Sequence, residues 1–199
     1  MLKRAFDVLV SATALVVLSP VLAALAVIVR FESPGPVFFR QPRVGRDGKL
    51  FDIYKFRTMR VAPQEDLRSS PVPEVSDFAS YVFDPLYGGK QYTRIGRLLR
   101  STSLDELPNL LNVLRGDMSI IGPRPDVPEL VAQYKTEYHR RHRVKPGITG
   151  LAQVNGRASL TYEEIMDYDL RYVDEYSFVR DLTILARTLP AVLSRKGAR

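Results

Sequence analysis

Val8 to Val29 reads VLVSATALVVLSPVLAALAVIV, 22 residues without a charge, and as a helix it would extend roughly 33 Å. That length suits entry into a bilayer. Ser19-Pro20 falls near the middle of the run. Proline there removes one backbone hydrogen bond and crowds the preceding turn, so the helix kinks or breaks, and Ser19 can bond a freed carbonyl. Lys3 and Arg4 precede the run, and Arg30, Arg40, Arg43 and Arg46 follow it. If cationic flanks stay cytoplasmic, both ends want the same side. The residues narrowly favour a broken, re-entrant membrane hairpin over 1–30, with a kinked spanning helix as the alternative. A cleaved signal peptide fits less well, because the run exceeds the ~7–15 residue apolar region of such peptides.

Composition bounds the rest. A chain of 199 residues argues for one globular unit, here residues 31–199. Lys plus Arg outnumber Asp plus Glu by 29 to 22, giving +7 and pointing to anionic partners: nucleic acid, phosphorylated metabolites or an acidic lipid surface. Nucleic acid leaves the apolar N-terminus unexplained. The absence of cysteine and the presence of only two histidines argue against a zinc site, so a catalytic metal should be oxygen-ligated, like magnesium.

Along the chain, FESPGPVFFRQP (31–42) is too broken by proline and glycine for a helix. Val37–Phe39 and Leu50–Phe56 flank the turn-forming GRDGK, which predicts a small β-hairpin. Its second strand ends in YKFRTM, with Lys55 and Arg57 expected on opposite sides. Residues 61–92 read as a long loop or lid. TRIGRLLR (93–100) is a short basic amphipathic helix. In STSLDELPNLLNVL (101–114), Ser103 and Glu106 have capping-box spacing and the leucines recur at helical intervals. Pro108 sits awkwardly for that cap, so Asp105 is the other candidate. IGPRP presents Arg124 from a rigid turn. Glu129 to Arg143 reads as a helix with a cationic end, suited to lipid headgroups, and Tyr162 to Ser194 as two more amphipathic helices. The predicted class is α+β, predominantly helical.

Three segments in this order then carry a resemblance: YKFRTM (54–59), SLDELPNLLNVLRGDMSIIGPRP (103–125) and VKPGITGLAQVNGR (144–157). With the N-terminal Ser19-Pro20 segment, they resemble the monotopic phosphoglycosyl transferases, or bacterial sugar transferases, in the small form made of the catalytic region. The resemblance implies transfer of a phosphosugar from a UDP-sugar to undecaprenyl (polyprenol) phosphate with Mg2+, releasing UMP at the cytoplasmic face of the bacterial inner membrane. It also implies the re-entrant topology. Matched residue by residue, Asp105 falls on the family's nucleophilic aspartate and Glu106 on its partner. Lys55, Arg100, Arg124, Arg157 and Asp169 fall on further positions associated with the site, and Asp105 is the candidate metal ligand. The chain departs from the family wording just before TRIG, where it reads YGGKQYTRIG.

The chemistry supports this independently. A carboxylate attacking the phosphorus of a diphosphate is repelled unless cations offset the field, and Mg2+ with Lys55, Arg124 and Arg157 could do that. The rival reading is a non-catalytic membrane adaptor whose basic surface binds anionic lipids and whose acidic pair is only a helix cap. The identity of the sugar and the oligomeric state are left open by the residues.

Overall fold

The computed structural model describes residues 1–60, 72–82, 91–156 and 159–193; most of the loop 61–92 and the whole of Arg157 lie outside them. The apolar run is divided as its composition predicts. Helix α1 (Leu2–Val17) and helix α2 (Ser19–Glu32) meet at an angle of 64°. Pro20 occupies the first turn of α2, where its missing N–H has no helical partner to lose, and Ser19 Oγ donates to Val16 O at 2.8 Å. Among the described residues no single helix is long and apolar enough to cross a membrane, while this bent pair passes on length and composition together.

Lys3 and Arg4, the cations that precede the apolar run, are hydrogen-bonded within the protein. Lys3 Nζ donates to Asp181 Oδ2 (2.6 Å) and Ile121 O (3.0 Å). Arg4 donates to the carbonyls of Val113 and Leu114, at the end of helix α4 (Asn109–Arg115), where carbonyls lack helical partners. Asp7, 2% exposed, accepts from Ser119 Oγ and Ile120 N, both at 3.0 Å. Phe6, Val10, Ala14 and Leu15 pack against the core formed by Leu110, Val113, Met118 and Ile121. The first helix is therefore docked on the rest of the protein along its inner face.

The far end of α2 is tied down as firmly. Arg57, 3% exposed, donates to the carbonyls of Val29 (3.1 Å), Ser33 (2.7 Å) and Pro34. Glu32 Oε1 accepts from Ile95 N at 2.7 Å, in the first turn of helix α3 (Arg94–Thr102). Thr93 caps α3 by accepting from Gly96 N (2.9 Å).

Strands β1 (Phe38–Val44) and β2 (Leu50–Phe56) form the expected antiparallel hairpin. Lys55 and Arg57 do reach different partners, but the strand's alternation is not the reason, since residues two apart share a face. The strand stops at Phe56, and Arg57 turns away after it. A second pair, unforeseen in the sequence, joins β3 (Ser119–Ile121) and β4 (Gly147–Thr149) in parallel. Backbones approach so closely there that a Cβ on Gly147 would stand 2.1 Å from Gly122 N.

Two helical expectations fail. Ser103 does not cap a helix with Glu106; it has φ 59° and ends α3 in the left-handed region, and Leu104–Glu106 is a single 3₁₀ turn. Asp105 is no cap either: it is buried within that turn. Pro108 forces the division, since it tolerates only the start of a helix, and it stands as the residue before α4. Likewise Glu129–Arg143 is not one helix but α5 (Pro128–Val131) followed by a 3₁₀ segment, Thr136–Arg143. Arg141 in it is 2% exposed, so that cation is turned into the protein rather than toward a lipid surface. After α6 (Leu151–Asn155), helices α7 (Tyr162–Asp174) and α8 (Phe178–Leu193) match the expected pair.

Replacing Asp7 by alanine would leave the buried donors Ser119 Oγ and Ile120 N without a partner. The expected cost is about 2–4 kcal/mol, a fall in Tm on the order of 10 °C, read by thermal unfolding in detergent or nanodiscs. An unchanged Tm would mean that α1 is not docked in this way.

Candidate active site

Glu106 is the hub of a buried charge cluster assembled from four separate elements. The 3₁₀ turn holds the carboxylate, β2 brings Lys55, the IGPRP turn brings Arg124 and the last turn of α3 brings Arg100. Oε1 accepts from Lys55 Nζ (3.0 Å) and from an Arg124 terminal nitrogen (2.6 Å), and Oε2 accepts from the other (3.2 Å). Arg100 stands 3.9 Å from Oε1. Burial alone would raise the Glu106 pKa, but Arg124 and Lys55 outweigh it and hold the carboxyl well below the usual carboxylate range. Glu106 is thus a fixed negative charge with both oxygens engaged.

Its neighbour is placed in the opposite condition. Asp105 is 2% exposed, and its Oδ2 lies 3.5 Å from Arg100. Oδ1 is buried with no hydrogen-bond partner. Burial first, and then the charge of Glu106, push the Asp105 pKa up. A buried carboxylate oxygen without a partner is costly, and such groups in a native structure call for an explanation such as a catalytic role or a bound ion. The structure separates two adjacent carboxylates into an anchor and an uncommitted group.

Lys55 is pushed down to about 8 by burial and by the positive charge of Arg124, against the pull of Glu106. Arg124 has the opposite shift, upward, because Glu106 favours its charge. Of the residues singled out in the sequence, Asp105, Glu106, Lys55, Arg100 and Arg124 come together. Arg157 lies outside the described residues.

Asp169 does not join them. It projects from α7, 1% exposed, and accepts from Arg141 at 2.5 Å. Arg141 also donates to Asp126, to Tyr134 Oη (2.5 Å) and to the carbonyl of Arg124 (2.6 Å), while Tyr134 and Tyr162 both donate to Asp126. Burial pushes Asp169 up to about 6 despite Arg141. Sequence reasoning missed Arg141 because YHRRHRVK (138–145) offers several cations with nothing local to single one out. Its role here is to grip the main chain of the turn that aims Arg124 at Glu106.

Arg141→Met should strand the buried carboxylate of Asp169, take one ion-pair partner from Asp126 and cost about 3–5 kcal/mol, measured by denaturant unfolding. Asp169→Asn keeps an acceptor for Arg141 and should cost clearly less. Equal losses in the two variants would contradict the central place given to Arg141.

The family model of the bacterial sugar transferases matches residues 1–195. The chain is 41% identical to an uncharacterized sugar transferase, EpsL, of Bacillus subtilis, over 98% of this chain and 89% of that protein. It is 41% identical to the UDP-glucose:undecaprenyl-phosphate glucose-1-phosphate transferase of Escherichia coli, over 95% of this chain but 39% of that protein. It is 40% identical to the undecaprenyl-phosphate galactose phosphotransferase of Salmonella typhimurium, over 99% of this chain and 41% of that protein. Matches of this extent, together with the charge cluster around Asp105 and Glu106, establish that the chain belongs to the bacterial sugar transferase family.

Proposed function

We propose that this protein transfers a sugar phosphate from a UDP-sugar to undecaprenyl phosphate through a covalent intermediate on Asp105. The observation that carries the reading is the buried, unpartnered Oδ1 of Asp105 beside Lys55, Arg100 and Arg124. The names of the Escherichia coli and Salmonella relatives support the substrate classes. In the first step an Asp105 oxygen attacks the sugar-bearing phosphorus of the UDP-sugar. The bond from that phosphorus to the bridging oxygen breaks, and UMP departs with that oxygen. In the second step an oxygen of the lipid phosphate attacks the same phosphorus, giving the polyprenyl diphosphate sugar and restoring the Asp105 carboxylate. Splitting the transfer removes the need to align a water-borne and a lipid-borne substrate at once. Lys55 and Arg124, held by Glu106, offset the negative charge that gathers on the phosphoryl oxygens.

A magnesium ion fits this site sparsely. Among the described residues no three His, Cys, Asp or Glu side chains cluster as a ready-made metal cage. Magnesium usually binds through one or two carboxylates plus substrate phosphates and water, and Asp105, whose Oδ1 is free, would be the protein ligand. When bound, the ion would neutralise diphosphate charge.

The membrane reading rests on where the two helices are fastened. The start of α1 and the end of α2 are both hydrogen-bonded to the same catalytic region, which favours a hairpin that enters and returns from the cytoplasmic side. Leu9, Val16, Val17 and Phe31 on these helices are more than 60% exposed, as lipid-facing residues would be.

With UDP-sugar and Mg2+ but no lipid acceptor, the enzyme should release about one UMP per site. The peptide carrying Asp105 should gain the mass of the phosphosugar, and Asp105→Asn should abolish both signals. UMP release only in the presence of lipid phosphate, with no adduct, would favour direct transfer instead. No UMP from any UDP-sugar would leave the non-catalytic adaptor.

Because the chain has no cysteine, single introduced thiols report topology cleanly. A cysteine appended ahead of Met1 and Lys49→Cys should both resist an impermeant thiol reagent in intact cells and react after permeabilisation. Labelling of the first alone in intact cells would show that the segment crosses the membrane.

A further inference from the structure

Arg43 was read from the sequence as a cation flanking the membrane segment. The structure turns it toward the charge cluster. In the β1–β2 register Arg43 stands opposite Phe51, Gln41 opposite Ile53 and Phe39 opposite Lys55. Cross-strand partners and alternate residues share a face, so Arg43 lies on the Lys55 face of the hairpin. The next residue, Val44, donates its N–H to Asp126 O at 3.0 Å, fixing this end of β1 to the segment that follows Arg124. Arg43 is close enough to Asp126, Arg124 and Glu106 to feel their charges.

Lys55, Arg100 and Arg124 all stand within 4 Å of a carboxylate oxygen. Arg43 does not: it forms no ion pair among the described residues, and its hydrogen bond goes to the amide oxygen of Gln41 at 2.6 Å. Its Nε is buried without a partner. Asp126, the nearest candidate by its influence on Arg43, already accepts from Arg141, Tyr134 and Tyr162. A desolvated guanidinium with no counter-ion destabilises a fold, and burial lowers the Arg43 pKa to about 10. Such a cost, kept beside a catalytic cluster, is the pattern of a group reserved for an anion that arrives.

We propose that Arg43 is a phosphate-binding residue of this site, contacting a phosphoryl group that the Glu106-bound cations leave uncovered. The inference rests on the phosphosugar-transfer reading for its substrates. Two sources carry the same chemistry: the diphosphate of the UDP-sugar and the headgroup of the lipid phosphate.

Three measurements on the full chain in nanodiscs test it, with Arg43→Met, which keeps an apolar stem of similar reach, and Arg43→Lys, which keeps the charge. The first is the rise in Tm produced by inorganic pyrophosphate; the second is the KM for UDP-sugar in lipid-free UMP release; the third is the KM for polyprenol phosphate in full turnover. Arg43→Met should leave Tm without ligand unchanged or higher, lose most of the pyrophosphate shift and raise one of the two KM values roughly 10- to 150-fold. Arg43→Lys should recover part of the loss. A rise confined to the second measurement assigns the diphosphate, and one confined to the third assigns the lipid phosphate. Wild-type behaviour of Arg43→Met in all three overturns the inference, as does a fall in Tm with both KM values and the pyrophosphate shift intact, which would make Arg43 structural. If the wild type releases no UMP at all, the transferase reading fails separately, while a pyrophosphate shift present in the wild type and lost in Arg43→Met still upholds the anion site.

Discussion

Glu106 is the charge on which the arrangement of the site depends. Its two oxygens hold Lys55 from β2 and Arg124 from the IGPRP turn, residues 51 and 18 positions away in the chain. Buried ion pairs repay their desolvation only when geometry is good and the remaining hydrogen-bonding capacity is filled. Here three hydrogen bonds to Glu106 meet that condition. The consequence falls on Asp105. With the cations drawn toward Glu106, the neighbouring carboxylate keeps a buried oxygen without a partner in a field that is still positive on one side. The tied carboxylate and the untied one are created by the same interaction.

Around that cluster lies a second set of charges that fixes the positions of the elements carrying it. Arg141 ties Asp126, Asp169, Tyr134 and the Arg124 carbonyl into one network, so α7 and the IGPRP turn are joined through one side chain. At the N-terminus the same device is applied to helix ends. Arg4 satisfies the last carbonyls of α4, Arg57 that of Val29 in the last turn of α2 and that of Ser33 just after it, and Glu32 an N–H at the start of α3. Charged side chains are strong partners for the unpaired groups at helix termini. On the re-entrant reading, these clips set the height and tilt of the active site relative to the lipid headgroups, because the hairpin cannot swing independently of the catalytic region.

Some elements were legible at short range. The break at Ser19-Pro20, the hairpin around GRDGK and the short helix over TRIGRLLR each follow from a proline, a turn sequence or an amphipathic spacing acting within a few residues. The acidic pair was legible as a pair, but its local structure was misread: capping-box spacing at Ser103 and Glu106 competes with Pro108, and proline prevails because it cannot sit inside the helix the box would start. YHRRHRVK was misread for a different reason. Its cations look alike in sequence, and only the tertiary approach of Asp126 and Asp169 distinguishes the buried Arg141 from its exposed neighbours.

By itself the sequence determined where the apolar segment bends, the β1–β2 hairpin and the helices α3, α7 and α8, and that a carboxylate pair stands in a cation-rich chain, all effects whose causes are close along the backbone. Only the tertiary structure decided which carboxylate is tied and which is free, that Asp169 serves Arg141 rather than the Asp105 cluster, and that Arg43 turns toward the charge cluster. Those outcomes depend on which charges meet after residues tens of positions apart are brought together. Their desolvation and pairing energies are set by the finished packing, which no local pattern encodes.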